Sequence, residues 1–170
     1  ESTYSKMVWY NSGLSDYVCN YGRSYVVILG DKFMKYDLES FILAQQESYA
    51  CALKEIKAGY KRSHWMWYIF PQIAGLGHSW MAKQYEIVNL DEAKEYMENE
   101  YLRNNLIEIS QALLDCGNDD IGDIMGFPDN LKLCSCMTLF ELAAPEEKVF
   151  GEVIDKFFDG QRDKRTLELV

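Results

Sequence analysis

The chain has 170 residues, of which 48 % are hydrophobic and 14 % aromatic, and its formal net charge is -10 at pH 7. This length and composition predict a globular protein with a sizeable core and exclude an intrinsically disordered chain. The negative charge argues against broad binding to nucleic acid or to anionic membranes, because both require a positively charged surface. We therefore expect one domain with a short appendage, on which any local cluster of basic residues stands out.

Five cysteines are spread along the chain, at Cys19, Cys51, Cys116, Cys134 and Cys136. They form no CxxC pair and no cluster with histidine at the spacing of metal ligands, so we predict neither a disulfide framework nor a metal site. No cofactor motif occurs, and no cofactor is predicted. The sequence shows no signal peptide and no apolar run near the roughly 20 residues that a membrane helix needs. We expect a cytoplasmic protein with reduced thiols and no membrane association.

Residues 1–35 differ in composition and charge from the rest of the chain. They are rich in Tyr, Ser, Asn and Gly and contain the one run with strong β propensity, from Tyr25 to Leu29. Their basic and acidic side chains nearly balance, so the negative charge belongs almost wholly to the remaining residues. We predict an irregular or partly β N-terminal extension that packs on the domain through Trp9 and the valine run. A loosely ordered arm is the alternative.

From Tyr36 onward, apolar residues recur at intervals of three and four, which predicts helices. Asp37 is a candidate N-cap of the first helix, and Gly59 is a candidate C-terminal glycine of the second. Residues 64–70 are apolar on every side, so a helix there is expected to be buried, and Pro71 ends it.

Further helices follow the aromatic block. Ser79 can cap a helix over residues 80–87, the next opens at Asp91, and residues 100–115 form the clearest amphipathic helix. Asp129 is a candidate N-cap of the helix after Pro128. An apolar stripe then runs from Pro145 to Gly160, and Asp163 can cap the last helix. No repeat or second-domain boundary occurs in the helical region. The pattern predicts an all-α fold, with a single compact domain of about eight helices over residues 36–170.

The stretch from Tyr60 to Trp80 contains three of the four tryptophans and both histidines of the chain. A basic, polar segment runs directly into an aromatic block, and polar groups beside a large apolar mass are typical of ligand pockets. Two interpretations stay open for the basic residues: they complement the C-terminal end of the preceding helix, or they bind an anion. Two also stay open for His64, as a core histidine or as an acid–base catalyst. The Gly75-x-Gly77 bend is a weak phosphate-loop signal, since no strand precedes it.

A second candidate region lies on the helix after Pro128. Lys132, Ser135 and Thr138 are three residues apart and form one polar track on an otherwise apolar helix. The track could be a solvent-facing side, but short Ser and Thr side chains indicate close approach to another group. Cys134 and Cys136 point about 200° apart on a helix, and we expect them to be packing thiols.

Five segments, KRSHWMWYIFPQIAGLG, MAKQY, DEAKEYM, PDNLKLCSCMTLF and FFDGQRDKRTLELV, together resemble the bacterial domain of unknown function 1810 family, whose members are often labelled calpastatin-like. The resemblance covers residues from Tyr36 to Val170 and leaves the extension outside. It implies an all-helical fold and a bacterial or phage cytoplasmic setting, without an established reaction. Members commonly read Arg-Ser-Ser where this chain has Cys-Ser-Cys at 134–136, so one positive charge is missing. His78 also stands where an Arg is frequent.

The resemblance also implies site residues, because cores rarely demand lysine, histidine, glutamine, serine and threonine together. The candidate ligand-binding residues are Lys61, Arg62, Ser63, Trp65, Trp67, Gln72, Gly75, Gly77 and Lys132, and the candidate catalytic residues are His64, Ser135 and Thr138. We expect the two motifs to face each other across a pocket, in which tryptophans stack a base and lysines or Arg62 meet phosphate. This arrangement requires His64 and Lys61 or Arg62 to lie near Lys132, Ser135 and Thr138.

The predicted function is therefore binding of a small nucleotide-like ligand, ADP-ribose or an NAD-derived molecule, with its hydrolysis as an extension that uses His64 as acid or base. The alternative is a protein-interaction module, such as an inhibitor or adaptor in phage–host conflict, with an aromatic contact face. A third interpretation is that the motif residues satisfy helix ends in a polar core and that function lies elsewhere. The oligomeric state is left open.

Overall fold

The computed structural model of the protein describes residues 36–170 in full and, before them, the backbone of three strands. These strands are β1 (Trp9–Asn11), β2 (Tyr17–Tyr21) and β3 (Ser24–Ile28), and they form an antiparallel sheet in the order β1-β2-β3. β3 covers most of the run that the sequence predicts to be β. The predicted packing of the Trp9 side chain lies outside the described residues.

The helical part confirms the all-α prediction. Its helices in the described residues are α1 (Glu39–Lys57), α2 (Met66–Ile69), α3 (Trp80–Gln84), α4 (Leu90–Glu98), α5 (Glu100–Asp115), α6 (Ile121–Met125), α7 (Asp129–Ala143), α8 (Val149–Phe157) and α9 (Lys164–Leu169). Within this part of the chain, every helix is too short or too polar to traverse a bilayer. The chain divides into two units, the first ending at Glu39 and the second comprising Ser40–Val170. The domain boundary between residues 35 and 36 stays a prediction.

α1 is one continuous helix where the sequence predicts two. Residues 43–48, between the predicted segments, contain neither glycine nor proline, so nothing in the backbone interrupts the helix. Gln45 lies in this stretch and is buried, and its amide donates to the Tyr68 carbonyl at 2.8 Å and to the Tyr96 hydroxyl at 2.9 Å. A polar residue on the buried face thus hides the continuity of the apolar stripe. Gly59, with a φ of 72°, ends the helix as predicted.

Side chains cap two helices where the sequence predicts them. Ser79 accepts a hydrogen bond from the backbone N–H three residues on at 3.1 Å, and Asp163 does the same at 2.9 Å. The prediction for Asp129 is wrong, because this residue is the first of α7 and Pro128 occupies the cap position without a side-chain cap. The Asp129 carboxylate binds two lysines instead.

Other helix bounds differ from the predicted ones. α3 ends at Gln84 rather than at residue 87, because Ile87 forms an isolated parallel bridge with Ile73. In this bridge, the Ile87 N–H donates to the Gln72 carbonyl at 2.8 Å. α8 begins at Val149, well after Pro145, and α6 is not predicted at all. The bridge fixes the loop that carries Gln72, one of the candidate ligand-binding residues.

α7 is the central helix of the core and packs against α4, α6, α8 and α9. The rings of Tyr96, Phe140 and Phe150, on α4, α7 and α8, are fully buried and lie in series, with centroids 5.0 and 6.1 Å apart. Burying one such aromatic side chain contributes about 1.5–3 kcal/mol. Residues 135–140 of α7 are all buried, whereas its first turn is partly exposed. The buried part of α7 therefore anchors the helix in the core, and its first turn lies at the surface.

Candidate functional site

An open groove of about 640 Å³ lies beside the first turns of α7. Its walls come from the loop of residues 71–79, from α7 itself and from the segment that leads from α8 into α9. The volume falls within the roughly 300–1,000 Å³ of small-molecule pockets. We call this surface the α7 groove.

Residues of both predicted motifs line the α7 groove, namely Trp67, Gln72, Gly77, Lys132 and Ser135. The two motifs therefore contribute to one concave surface. The remaining predicted residues do not line it; they are Lys61, Arg62, Ser63, His64, Trp65, Gly75 and Thr138. The structure thus brings together about half of the predicted site.

Two lysines, one from each motif, share the carboxylate of Asp129. The Lys61 Nζ lies 2.8 Å from Oδ2, and the Lys132 Nζ lies 2.8 Å from Oδ1. Each ammonium also lies over an indole ring: Lys61 is 4.9 Å from the centroid of Trp65, and Lys132 is 5.2 Å from that of Trp67. The Lys61 side chain is 8 % exposed and that of Lys132 is 25 % exposed. Only Lys132 therefore presents its charge to the groove.

The electrostatic state of Asp129 follows from these contacts. Burial favours its neutral form, but hydrogen bonds from Lys132 and Lys61 outweigh burial and lower the pKa of Asp129 below its usual value. The carboxylate is therefore ionised, and the two lysines and Asp129 together carry one positive charge. That net charge is the electrostatic basis of the candidate site.

The loop between α1 and α2, residues 58–65, is held by the carboxylate of Glu55. This carboxylate accepts hydrogen bonds from the backbone N–H groups of Arg62 and Ser63 at 2.8 and 3.0 Å. It also accepts from the Ser63 hydroxyl and, at 2.9 Å, from the Trp65 indole N–H. Burial opposes ionisation, but these bonds outweigh it and lower the pKa of Glu55 to about 2. Ser63 and Trp65 are therefore committed to the internal structure of the loop.

His64 and Arg62 are exposed and lie outside the α7 groove. The Arg62 guanidinium lies 5.7 Å from the centroid of the Tyr60 ring. The interpretation of His64 as a core histidine is wrong, since its side chain is exposed. A helix over residues 64–70 would place His64 on the same face as Trp67, but α2 begins only at Met66. A catalytic role for His64 stays a prediction without geometric support.

The polar track of α7 meets the loop that precedes α9. The Thr138 hydroxyl accepts from the Asp163 backbone N–H at 2.9 Å and donates to the Cys134 carbonyl at 2.8 Å. The Ser135 hydroxyl lies 3.1 Å from Asp163 Oδ2. Ser135 and Thr138 are 6 % and 0 % exposed, so the solvent-facing interpretation is wrong. Thr138 serves to dock the loop, and we give it no role in ligand binding.

Asp163 uses one of its carboxylate oxygens, Oδ2, for this docking, and its other oxygen, Oδ1, is not involved. Oδ2 accepts from the Ser135 hydroxyl at 3.1 Å and from the N–H and hydroxyl of Thr166 at 2.9 and 2.6 Å. Oδ1 accepts no hydrogen bond from any other described residue. Because Asp163 lines the α7 groove, an ionisable acceptor remains on the groove wall.

Two arginines of the same segment have different surroundings. Arg162 donates to both carboxylate oxygens of Glu141, at 2.9 and 2.5 Å, and to Asp155 at 3.2 Å. These hydrogen bonds raise the pKa of Arg162 above its usual value. Arg165 lines the groove and is exposed, and it makes no ion pair or hydrogen bond with any other described residue. Arg162 is thus a structural clamp, whereas Arg165 is free to bind a ligand.

Sequence reasoning does not include Asp163 or Arg165 in the site, although both belong to the last matching segment. Their spacing predicts only a capped helix. Asp163 does cap α9, but it also lines the groove, which the spacing does not indicate. The apolar part of the groove is also unpredicted, and it includes Leu76, Leu131 and Phe158. The one available signal is the inclusion of FFDGQRDKRTLELV among the segments of the family resemblance.

The glycine bend approaches α3 closely. A Cβ atom added to Gly77 would overlap that of Ala82, and both residues line the groove. Gly75 has a φ of 95°, a conformation that favours glycine, but it does not line the groove. The glycines thus shape the groove wall, and no phosphate-binding role follows from their geometry.

The groove contains one thiol and no cluster of metal ligands. Among the residues that the structure describes, no three His, Cys, Asp or Glu side chains converge so that they could hold a metal ion. Cys134 lines the groove, and burial together with the nearby Asp163 raises the pKa of its thiol to about 11. Cys136 is buried, and burial raises its pKa as well. Both cysteines are therefore protonated at neutral pH.

A helical domain with a small, locally basic groove is the class of protein that these features define. The chain belongs to the family described as protein of unknown function (DUF1810), whose model matches residues 35–170. It is similar to the conserved hypothetical protein Rv1873 from Mycobacterium tuberculosis, with 40 % identity and a TM-score of 0.77. That match covers 79 % of this chain and 96 % of the other. A search of curated proteins found no relative.

Proposed function

We propose that the α7 groove binds a small anionic ligand of the nucleotide class. The observation that carries this proposal is the charge of the groove in a chain whose net charge is -10. The lining residues Lys132 and Arg165 exceed Asp163 by one positive charge. An anion is therefore attracted to this surface, while the acidic remainder of the protein repels it.

The Lys132 ammonium is the proposed first contact for a phosphate. Its contacts to Asp129 and to the Trp67 ring hold it in one place, so that little conformational freedom is lost when an anion binds. A hydrogen bond between charged groups is worth about 1.5–3 kcal/mol. Because Asp129 is shared with Lys61, the cluster keeps one uncompensated positive charge for the ligand.

The remaining groups of the groove suit a base and a sugar. Trp67 and Phe158 line it and offer aromatic surface for a planar base, which stacking stabilises by about 1–3 kcal/mol. The Gln72 amide can donate and accept hydrogen bonds, and Asp163 Oδ1 can accept from a hydroxyl group. ADP-ribose and NAD-derived molecules combine a base, a sugar and phosphates, and they are the members of the nucleotide class that we propose first.

Calorimetric titration with AMP, ADP, ADP-ribose and NAD tests the proposal, together with thermal unfolding in each ligand. We expect at least one to bind, and saturation at 100 times the dissociation constant to stabilise the protein by about 2.7 kcal/mol. Lys132→Gln should weaken binding about tenfold, since it removes one charge-assisted contact. Appearance of free nicotinamide or free ribose phosphates during incubation would extend the proposal to hydrolysis.

Lys94→Gln is the matched control for this experiment. Lys94 forms the same kind of pair as Lys132, with an aspartate three residues earlier on its helix, but it lies on α4 outside the groove. The proposal fails if no nucleotide binds at millimolar concentration. The groove is the wrong site if the two lysine variants weaken binding equally.

A second candidate function, a protein-interaction module, is favoured by exposed apolar side chains beside the groove. Phe127 is 84 % exposed and Leu131 is 55 % exposed, and Pro128 between them lines the groove. Isolated exposed apolar residues are common, but an exposed phenylalanine beside a concave surface is typical of an interface anchor. If this face binds a protein, Phe127→Ser should abolish capture of that protein from host lysate, whereas Lys94→Gln should retain it.

A further inference from the structure

We propose that Arg165 binds a second anionic group of the ligand, so that the α7 groove selects a nucleoside diphosphate over the corresponding monophosphate. This inference rests on the proposed function and adds the specificity of the same site. It follows from three features of the groove: its charge balance, its dimensions and the free guanidinium.

The charge balance makes Arg165 the decisive cation. Lys132 and Asp163 both line the groove and carry opposite charges, so without Arg165 the charged lining residues would cancel. Asp163 is fixed by its hydrogen bonds to Ser135 and Thr166 and cannot turn away from the groove. The net attraction for a second anionic group therefore comes from Arg165.

The dimensions of the groove allow both cations to reach one ligand. Lys132 and Ser135 are one helical turn apart on α7, which corresponds to about 4.5 Å along the axis. The Ser135 hydroxyl contacts Asp163 Oδ2 at 3.1 Å, and Arg165 follows two residues later. The Ser135–Asp163 contact thus joins the helix that carries Lys132 to the segment that carries Arg165, and both cations line the same groove of about 640 Å³. Long lysine and arginine side chains on one groove wall can converge on neighbouring phosphates of a single ligand.

The guanidinium of Arg165 has no competing partner among the residues that the structure describes. It makes no ion pair or hydrogen bond with the described residues, whereas Arg162, three residues earlier, is held by Glu141 and Asp155. A planar guanidinium can offer two parallel N–H groups to one phosphate, which an ammonium cannot do. Arg165 is therefore suited to recognise a phosphate, and Lys132 supplies the fixed charge beside it.

Calorimetric titration of the full chain with AMP and ADP tests this inference, with Arg165→Gln and Arg165→Lys as variants. The wild type should bind ADP about tenfold more tightly than AMP. Arg165→Gln should lose this preference while its affinity for AMP changes less than twofold, and Arg165→Lys should keep only part of the preference. Lys132→Gln should weaken both ligands.

Lys164→Gln is the matched control. Lys164 is an exposed neighbour of Arg165 that does not line the groove, so its substitution removes one positive charge nearby without changing the groove. It should leave the ADP preference unchanged. The specificity assigned to Arg165 is overturned if the wild type binds AMP and ADP equally, or if Arg165→Gln and Lys164→Gln behave alike. Absence of binding of every nucleotide to the wild type would instead overturn the proposed function itself.

Discussion

The α1–α2 loop and the α7 groove contain the same kinds of residues, but these residues differ in what they contact. In the loop, the Lys61 ammonium binds Asp129 and the Ser63 carbonyl, and the Trp65 indole N–H binds Glu55. In the groove, Lys132 keeps a partly exposed charge beside the Trp67 ring. A lysine next to a tryptophan is thus structural in one region and available to a ligand in the other.

The difference between the two regions lies in how far their hydrogen-bonding groups are already satisfied. In the loop, the side chains of Lys61, Ser63 and Trp65 meet the carboxylates of Asp129 or Glu55. In the groove, Arg165 and one carboxylate oxygen of Asp163 have no partner among the described residues. Substitutions that remove these contacts of the loop should therefore lower stability and leave ligand recognition intact. Substitutions in the groove should do the reverse.

The largest effect is expected for Asp129→Asn, which breaks the connection between the two regions. The substitution leaves the Lys61 ammonium, whose side chain is 8 % exposed, without its counter-ion. Removing one partner of a buried ion pair costs about 3–5 kcal/mol, and we expect the lower end because Lys61 keeps its bond to the Ser63 carbonyl. Urea unfolding monitored by tryptophan fluorescence measures this change.

Asp123→Asn is the control for that substitution, since Asp123 is exposed and its carboxylate accepts no hydrogen bond from the described residues. It should change the free energy of unfolding by less than about 0.5 kcal/mol. Equal stability of the two variants would mean that the shared carboxylate does not hold the loop against α7.

Glu55→Gln should have the next largest effect, because an amide cannot accept all the hydrogen bonds that the carboxylate accepts. We expect a loss of about 2 kcal/mol at pH 7, with Glu47→Gln on the same helix as an exposed control. The effect should depend on pH. The pKa of Glu55 is lowered from 4.5 to about 2, so the unfolded chain takes up a proton first as pH falls.

The stabilisation by Glu55 is therefore fully present above pH 4.5 and is lost as the pH falls toward 2. Unfolding curves between these pH values should show the wild type and Glu55→Gln converging. Asp129, whose pKa is also lowered, contributes in the same direction and should leave a residual slope in the variant. A difference between the two proteins that stays constant down to pH 2 would exclude the proposed role of the ionised carboxylate.

The sequence predicts those features of the two regions that depend on residues close together in the chain, and it fails for contacts between distant segments. Ser79, Asp163 and Gly59 begin or end helices as predicted, because capping depends on residues three or four positions away. The polar track of Ser135 and Thr138 is also interpretable from sequence, since short side chains on a buried helix indicate close approach. Local chemistry is sufficient in all these cases.

The site itself is only partly predictable, because its contacts join distant segments. No spacing in the sequence indicates that Asp129 accepts from Lys61 rather than capping α7, or that Glu55 accepts from Trp65. Arg165 is a further example. It is a candidate ligand-binding residue because its guanidinium has no partner among the described residues, and whether a side chain is left without a partner depends on the whole fold. The sequence correctly pairs the two motifs but cannot tell which members face outward.

The smallest effects are expected for the two histidines, which separate the two regions most directly. His64 belongs to the α1–α2 loop and is exposed outside the groove, whereas His78 lines the groove. His64→Ala should change stability by less than about 0.5 kcal/mol and nucleotide affinity by less than twofold, because its side chain makes no described contact that either depends on. His78→Ala should leave stability equally unchanged but weaken nucleotide binding about two- to threefold, since it removes ligand contact surface from the wall. Calorimetric titration of both variants with the same nucleotide makes the comparison. If His64→Ala abolished turnover or weakened binding more than His78→Ala, the ligand would have to occupy the loop rather than the groove, and the division between a satisfied region and an open one would be incorrect.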